Sequence, residues 1–130
     1  MIERLRSGAT LGYLAYVDGR PAGWVNASRR STYAKYADVD RGGVAPDTVV
    51  GVSCFIIAPP YRRHGVSSAL LDRVVADGAG RGARYVEGYP RRGDTGEDSA
   101  SFCGPRSMFD ARGFAPAEEH DSYTVVRRPS

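Results

Sequence analysis

One stretch of the 130-residue chain gathers side chains and backbone suited to holding an anion: Tyr61-Arg62-Arg63-His64-Gly65-Val66-Ser67-Ser68-Ala69-Leu70-Leu71. It follows an apolar run and precedes a helical pattern. The first N–H groups of a helix have no intrahelical partner and sit at the positive end of the helix dipole, so negative charge is favoured there. Gly65 lets the backbone approach an oxyanion with no Cβ in the way. Ser67 and Ser68 are small and can donate further hydrogen bonds. Arg62, Arg63 and His64 crowd an end where the dipole disfavours cations by about 0.3–1 kcal/mol each. A bound anion removes that conflict. A solvated arginine turn is the plain alternative for R-x-x-G-x-S alone; the flanking strand and helix argue for a ligand.

A second set lies in Tyr85-Val86-Glu87-Gly88-Tyr89-Pro90. A carboxylate in mid-strand is costly to bury without partners, and burial raises its pKa toward values useful to a general base, which makes Glu87 the candidate base. Tyr89 shares its face and could donate a proton or position a substrate. The alternatives are a salt bridge from Glu87 to an arginine such as Arg84 or Arg91, and ordinary strand packing for Tyr89. His64 reads as an anion-side residue and Cys54 as core. His64 and His120 stand far apart without clustered ligands, so no metal site is expected. Asp94, Glu97, Asp98, Glu118 and Glu119 could attract a cationic molecule or simply be solvated.

The elements that position these groups follow from pattern. Residues 11–17 and 23–27 read as two strands around Asp18-Gly19, a two-residue hairpin turn needing positive φ at both positions. Residues 28–47 break the pattern with arginines, tyrosines and aspartates, and such a stretch is either a functional loop or a disordered insertion. Residues 48–58 are almost continuously apolar, as in a central strand covered on both faces, and Pro59-Pro60 stops them. Val66, Ala69, Leu70, Leu71, Val74 and Val75 recur at helical spacing over residues 66–77. Residues 84–89 form a strand parallel to the first central one, since a strand–helix–strand unit crosses over. Residues 90–100 read as a polar loop, 106–111 as a short helix ending at Gly113, and 114–117 and 123–127 as closing strands.

Composition bounds the rest. The length is that of one domain, residues 1–130. The net charge is +3 and the basic residues are scattered among acidic ones, which suits a small anion and disfavours nucleic acid as a partner. Two unpatterned cysteines, no signal-like start and no apolar run of membrane-spanning length predict a cytoplasmic domain with no membrane contact.

Residues 49–75 resemble the signature of the GNAT superfamily of acyltransferases, with its [QR]-x-x-G-x-[GA] core: Arg62, Gly65 and Ser67 fill the fixed places, Ser67 as a small substitute. The hairpin at Asp18-Gly19 resembles the family's second and third strands, and Met108 to Phe114 its late Y-x-x-x-G-F element. The resemblance implies an α/β fold with a mixed, mostly antiparallel sheet, a central parallel pair, and an amphipathic helix after the pyrophosphate loop. It implies acetyl-CoA or another acyl-CoA as co-substrate. Amides of Arg63, His64, Gly65, Val66, Ser67 and Ser68 would hold the pyrophosphate, with Arg62 beside them. The strand edge at Phe55, Ile56 and Ile57 would pair with pantetheine, and an N–H there would polarise the thioester carbonyl. Two departures stand out. About ten residues precede the first strand, where the family usually has another strand and two helices, so the acceptor site is expected to be open or completed by a second copy in a homodimer. The family's thiolate-protonating tyrosine falls at Phe109, and a glutamate known in some members falls at Gly51.

The expected activity is transfer of an acyl group, in the first instance acetyl, to a small-molecule or peptide amine by direct attack. Such an N-acyltransferase can tolerate Phe109, because a thiol with a pKa near 8.5 departs without an obligatory acid. Three alternatives stay open: a non-catalytic acyl-CoA-binding domain, an enzyme whose acyl donor rides on a carrier protein or tRNA, and an RNA-side module.

Overall fold

The computed structural model describes residues 2–7, 10–33, 36, 39, 43–92 and 103–130. Seven strands form one sheet: β1 (Ile2–Ser7), β2 (Thr10–Val17), β3 (Arg20–Arg29), β4 (Val49–Ile57), β5 (Tyr85–Gly88), β6 (Ala115–Glu119) and β7 (Thr124–Pro129), in the order β1-β2-β3-β4-β5-β7-β6. All neighbours are antiparallel except β4 and β5, which run parallel. Helix α1 (Val66–Gly78) makes the crossover between them, and α2 (Arg106–Asp110) precedes the closing hairpin. The mixed sheet with a central parallel pair and a helix after the turn is the expected fold class.

Local chemistry accounts for most boundaries. Asp18 and Gly19 have φ of 51° and 76°, the positive values a tight hairpin needs. Pro59 and Pro60 end β4 in a single 3₁₀ turn. Helix α1 buries Val66, Leu70, Leu71 and Val74 against one sheet face, beside Tyr13, Val25, Val50, Val52 and Val86. Each such aliphatic side chain contributes about 1.5–3 kcal/mol relative to exposure. Ala69 is solvent-facing and Val75 half-buried, so the apolar stripe is narrower than its sequence suggests.

Two expectations change. A strand over Ile2–Ser7 pairs with β2 within the ten residues expected to precede the first strand; Glu3, Arg4, Leu5 and Arg6 are all exposed, as an edge strand allows. The break at residues 28–47 is also not wholly irregular. β3 continues to Arg29, a 3₁₀ turn follows at Arg30–Thr32, and Tyr36 and Val39 are buried with Tyr89 and Val125 on the sheet face opposite α1. Lys35, Asp38, Asp40, Arg41 and Gly42 from that reading lie outside the described residues, as do Asp94, Glu97 and Asp98.

The feature that positions a site is the parting of β4 from β5. Their pairing ends at Val52↔Gly88, leaving residues 53–57 of β4 without a strand on that side. β4 carries a bulge there, since Asn26 faces Cys54 and Ala27 faces Val52, with Ser53 as the extra residue. A bulge bends its strand and increases the twist. Beyond Gly88 the chain stays with β7 instead: Thr124 N–H donates to the Pro90 carbonyl at 3.0 Å and Arg92 N–H to that of Ser122 at 3.0 Å. Phe109, fully buried, lies at the parting, where a Cβ on Gly88 would come within 2.3 Å of its ring. Gly88→Ala is therefore expected to cost about 1–3 kcal/mol in a urea titration, and most of that loss should return in the Gly88→Ala/Phe109→Leu double variant. An unchanged midpoint would mean that the ring is not seated on Gly88.

Candidate functional site

The parted strands open a groove of about 490 Å³ that runs from β4 to the start of α1. Phe55, Ile56 and Ile57 give its strand side; Tyr61, Arg62, Arg63, Gly65, Val66, Ser67 and Ser68 give the turn and helix start; Pro105, Ser107 and Met108 close it from α2. Nine of the eleven residues read from sequence as lining a cofactor site therefore meet here. His64 points to solvent and is not part of the wall. Phe109 is core, with its ring 5.1 Å from that of Phe114, and its neighbour Met108 faces the groove instead. Tyr61, Pro105, Ser107 and Met108 carried no signal of their own, because a one-turn helix offers too short a period to say which side faces a cavity.

The turn is held open by backbone geometry. Arg63 has φ 65° and Gly65 φ 79°. A left-handed arginine costs roughly 1–2 kcal/mol, a strain that persists only where the surroundings impose it. Arg62 Nε donates to the Ile57 carbonyl at 3.1 Å, clasping the turn to the end of β4. Gly65 is the N-cap of α1, with no side chain capping it. A Cβ at Gly65 would meet nothing within 4 Å, so the space in front of the helix is open. The donors that a helix start leaves unpaired thus face a groove with basic residues at its lip.

Glu87 and Tyr89 lie away from the groove. Both are fully buried on the sheet face opposite α1 and neither lines the groove. Glu87 takes Arg30 Nη1 on both oxygens at 3.1 Å, Arg127 Nε at 2.8 Å and the Tyr89 hydroxyl at 2.9 Å. It is the salt-bridge alternative, with Arg30 and Arg127 in place of Arg84 or Arg91. Arg30, 2% exposed, also donates to the Val44 carbonyl, so this pairing fastens Val44 to the sheet. Burial first, and then the adjacent Glu87 carboxylate, raise the Tyr89 phenol well above its ordinary value, leaving it a neutral donor. Its ring stacks on Tyr36 with centroids 3.7 Å apart, and Tyr123 packs edge-on to both. Gly51 pairs with Glu87, and a Cβ there would lie 2.5 Å from the Tyr89 hydroxyl, so the tyrosine layer leaves no room for a side chain.

Cys54 is half-buried on β4, and burial followed by Cys103 pushes its thiol up to about 11 from 9.0. At pH 8 roughly a thousandth is thiolate, too little for a useful nucleophile. Among the described residues no three His, Cys, Asp or Glu side chains cluster as metal ligands, and no helix is long and apolar enough to cross a membrane.

The comparisons with known proteins agree with the fold. The acetyltransferase (GNAT) family's sequence profile matches residues 1–92, and the chain belongs to that family. No curated protein matches it. Among solved structures it is similar to the ribosomal-protein-S18-alanine N-acetyltransferase of Escherichia coli, with TM-score 0.64 and 15% identity over 95% of this chain and 71% of that one. It is similar also to the PaiA N-acetyltransferase of Thermoplasma acidophilum in complex with coenzyme A, with TM-score 0.64 and 13% identity over 94% of this chain and 62% of that one. The GNAT domain of PAT from S. lividans gives TM-score 0.65 and 19% identity over 94% of this chain and 61% of that one. The chain thus spans about two thirds of these proteins, and identities this low speak for the fold alone.

Two outcomes check the electrostatics. Glu87→Gln leaves two arginines facing each other without their carboxylate, and should cost about 3–5 kcal/mol in denaturant while the folded fraction keeps its ligand affinity; a loss of affinity with full stability would restore Glu87 to the site. In a Cys103→Ser background, alkylation of Cys54 by iodoacetamide should keep accelerating from pH 9 to pH 11, because the raised pKa delays ionisation. A plateau by pH 10 would contradict this.

Proposed function

We propose that this groove binds an acyl-CoA and that the chain is an N-acyltransferase moving the acyl group, most simply acetyl, to an amine by direct attack. The observation that carries the reading is the continuity of an uncapped helix start, a left-handed turn and an unpaired strand edge along one groove. These residues fit a CoA ester part by part. Amides from Arg63 to Ser68 would hold the pyrophosphate, with the Arg63 side chain and the Ser67 and Ser68 hydroxyls beside them. The edge at Phe55, Ile56 and Ile57, apart from the Ile57 carbonyl that Arg62 already occupies, offers main-chain groups to pantetheine, and Met108 and Pro105 close the apolar side. When bound, the ester supplies an activated acyl carbon. A β4 amide aimed at the carbonyl oxygen would stabilise the charge that develops there, a role worth roughly 3–4 kcal/mol.

The same lining bears on the acceptor. Among the described residues of the groove there is no carboxylate or imidazole. A lysine-like amine is neutral only about 0.04% of the time at pH 7, whereas an α-amine of pKa near 8 is neutral about 10% of the time. The second kind needs the least help from a base, so the acceptor proposed is an α-amine of a small molecule or peptide. Half-buried Cys54, with its raised pKa, argues against a covalent acyl-cysteine route. The protein is read as cytoplasmic and as a single domain that could pair with a second copy.

One observation favours a second reading, in which the chain binds acyl-CoA without turnover: Phe109 supplies no acidic proton and is sealed in the core. Calorimetry with coenzyme A and a release assay across amines of graded pKa distinguish the two. Acetyl-CoA at one hundred times its Kd should stabilise the fold by about 2.7 kcal/mol, and Gly65→Asp, which sets a carboxylate before the helix, should weaken it by at least tenfold. Coenzyme A release should be fastest with amines of pKa near 8. Binding without release favours the second reading, and no binding removes both.

A further inference from the structure

The opposite end of α1 carries a feature that the acyl-transfer reading does not use. Arg4, Arg6, Arg29 and Arg81 face one cavity of about 410 Å³, with Leu11 completing its wall. They come from three separate parts of the chain: β1, the end of β3, and the 3₁₀ turn Ala79–Arg81 that follows α1. Arg4 and Arg6 pair with Tyr13 and Leu11, so the two-residue repeat of β1 puts both on the α1 side of the sheet.

Charge there is uncompensated. Among the described residues no acidic side chain lines the cavity. Asp77, on the last turn of α1, is engaged by the Tyr13 hydroxyl at 3.0 Å and by Arg73 Nε at 3.3 Å. Arg29 donates through Nη2 to the Arg81 carbonyl, which locks the end of β3 to the turn. The Nη1 atoms of Arg29 and Arg81 are both buried with no hydrogen-bond partner among the described residues. Burial lowers the Arg81 pKa most, and the Arg29 and Arg4 charges add to that; the Tyr13 hydroxyl beside it opposes the shift. Guanidinium groups that converge without carboxylates match the several acceptor oxygens of a phosphate, which they bind in forked pairs. Arginine at a helix C-terminus complements the dipole, which explains Arg81 alone and not the three arginines that join it from the sheet.

We propose that this cavity is a second anion site, for the phosphate or diphosphate group of a small molecule. It stands apart from the acyl-CoA groove by the length of α1, whose 13 residues span about 20 Å. The site does not depend on the acyl-transfer reading, since the two share no residue.

Pyrophosphate titrated into the full chain by calorimetry at low salt tests this. The groove could also take pyrophosphate, so the measurement is made in Gly65→Asp as well as in the unaltered chain. One equivalent should bind in Gly65→Asp, and Arg4→Gln/Arg6→Gln, at exposed edge-strand positions that the fold tolerates, should weaken it at least tenfold. Arg81→Gln should weaken it further. ATP and inorganic phosphate as parallel ligands identify the source: tighter ATP binding marks a nucleotide, and equal or weaker ATP binding a free phosphate species. Absence of pyrophosphate binding in Gly65→Asp overturns the proposal. So does binding that Arg4→Gln/Arg6→Gln leaves unchanged, or that only a long RNA achieves.

Discussion

The structure depends on two parallel strands that pair for four residues and then part. Val49 to Val52 of β4 are tied to Tyr85 to Gly88 of β5; beyond that point β4 is bent by the bulge at Ser53, while β5 continues along β7. Main-chain groups buried without partners are costly, so a strand edge bared in the middle of a sheet needs something to satisfy it. Here the edge opens onto a groove instead of another strand. The helix that bridges the two strands begins at the mouth of that groove, with its own unpaired donors facing the same way. One topological event thus supplies both the edge and the helix start.

The two sheet faces contribute differently to that event. On the α1 face, aliphatic packing fixes the helix, and Phe109 is wedged where the strands separate. On the other face, the Glu87–Arg30–Arg127 cluster and the stacked tyrosines hold β5, β7, Arg30 and Tyr36 together. A buried ion pair is weak evidence of net stability, because desolvation offsets much of the attraction, yet losing one partner is expensive. The cluster ties Arg30, just past the end of β3, and Arg127 of β7 to the same carboxylate of β5.

Much of this was legible in the sequence because it is local. The apolar run of β4, the Pro-Pro stop, the R-x-x-G-x-S turn and the helical stripe of α1 are contiguous, so each is read from its immediate neighbours. What was not legible depends on distant partners. Glu87 in mid-strand announces that it needs a counter-ion, but which arginine arrives is decided by Arg30, 57 residues away, and Arg127, 40 residues away. The edge strand at Ile2–Ser7 was obscured by its charges, which an outer strand tolerates. Phe109 and Met108 are adjacent on a five-residue helix, and only packing decides that the first is core and the second groove wall.

The central claim is that the bared edge of β4 and the start of α1 receive one ligand together. Hydrogen–deuterium exchange, read amide by amide with and without coenzyme A, tests it most directly. The account expects slowed exchange at some amides within residues 53–57 and within 63–68, with little change at residues 49–52, which β3 and β5 already pair. Coenzyme A that left both segments exchanging at their free rates, or protected only the helix start, would contradict it.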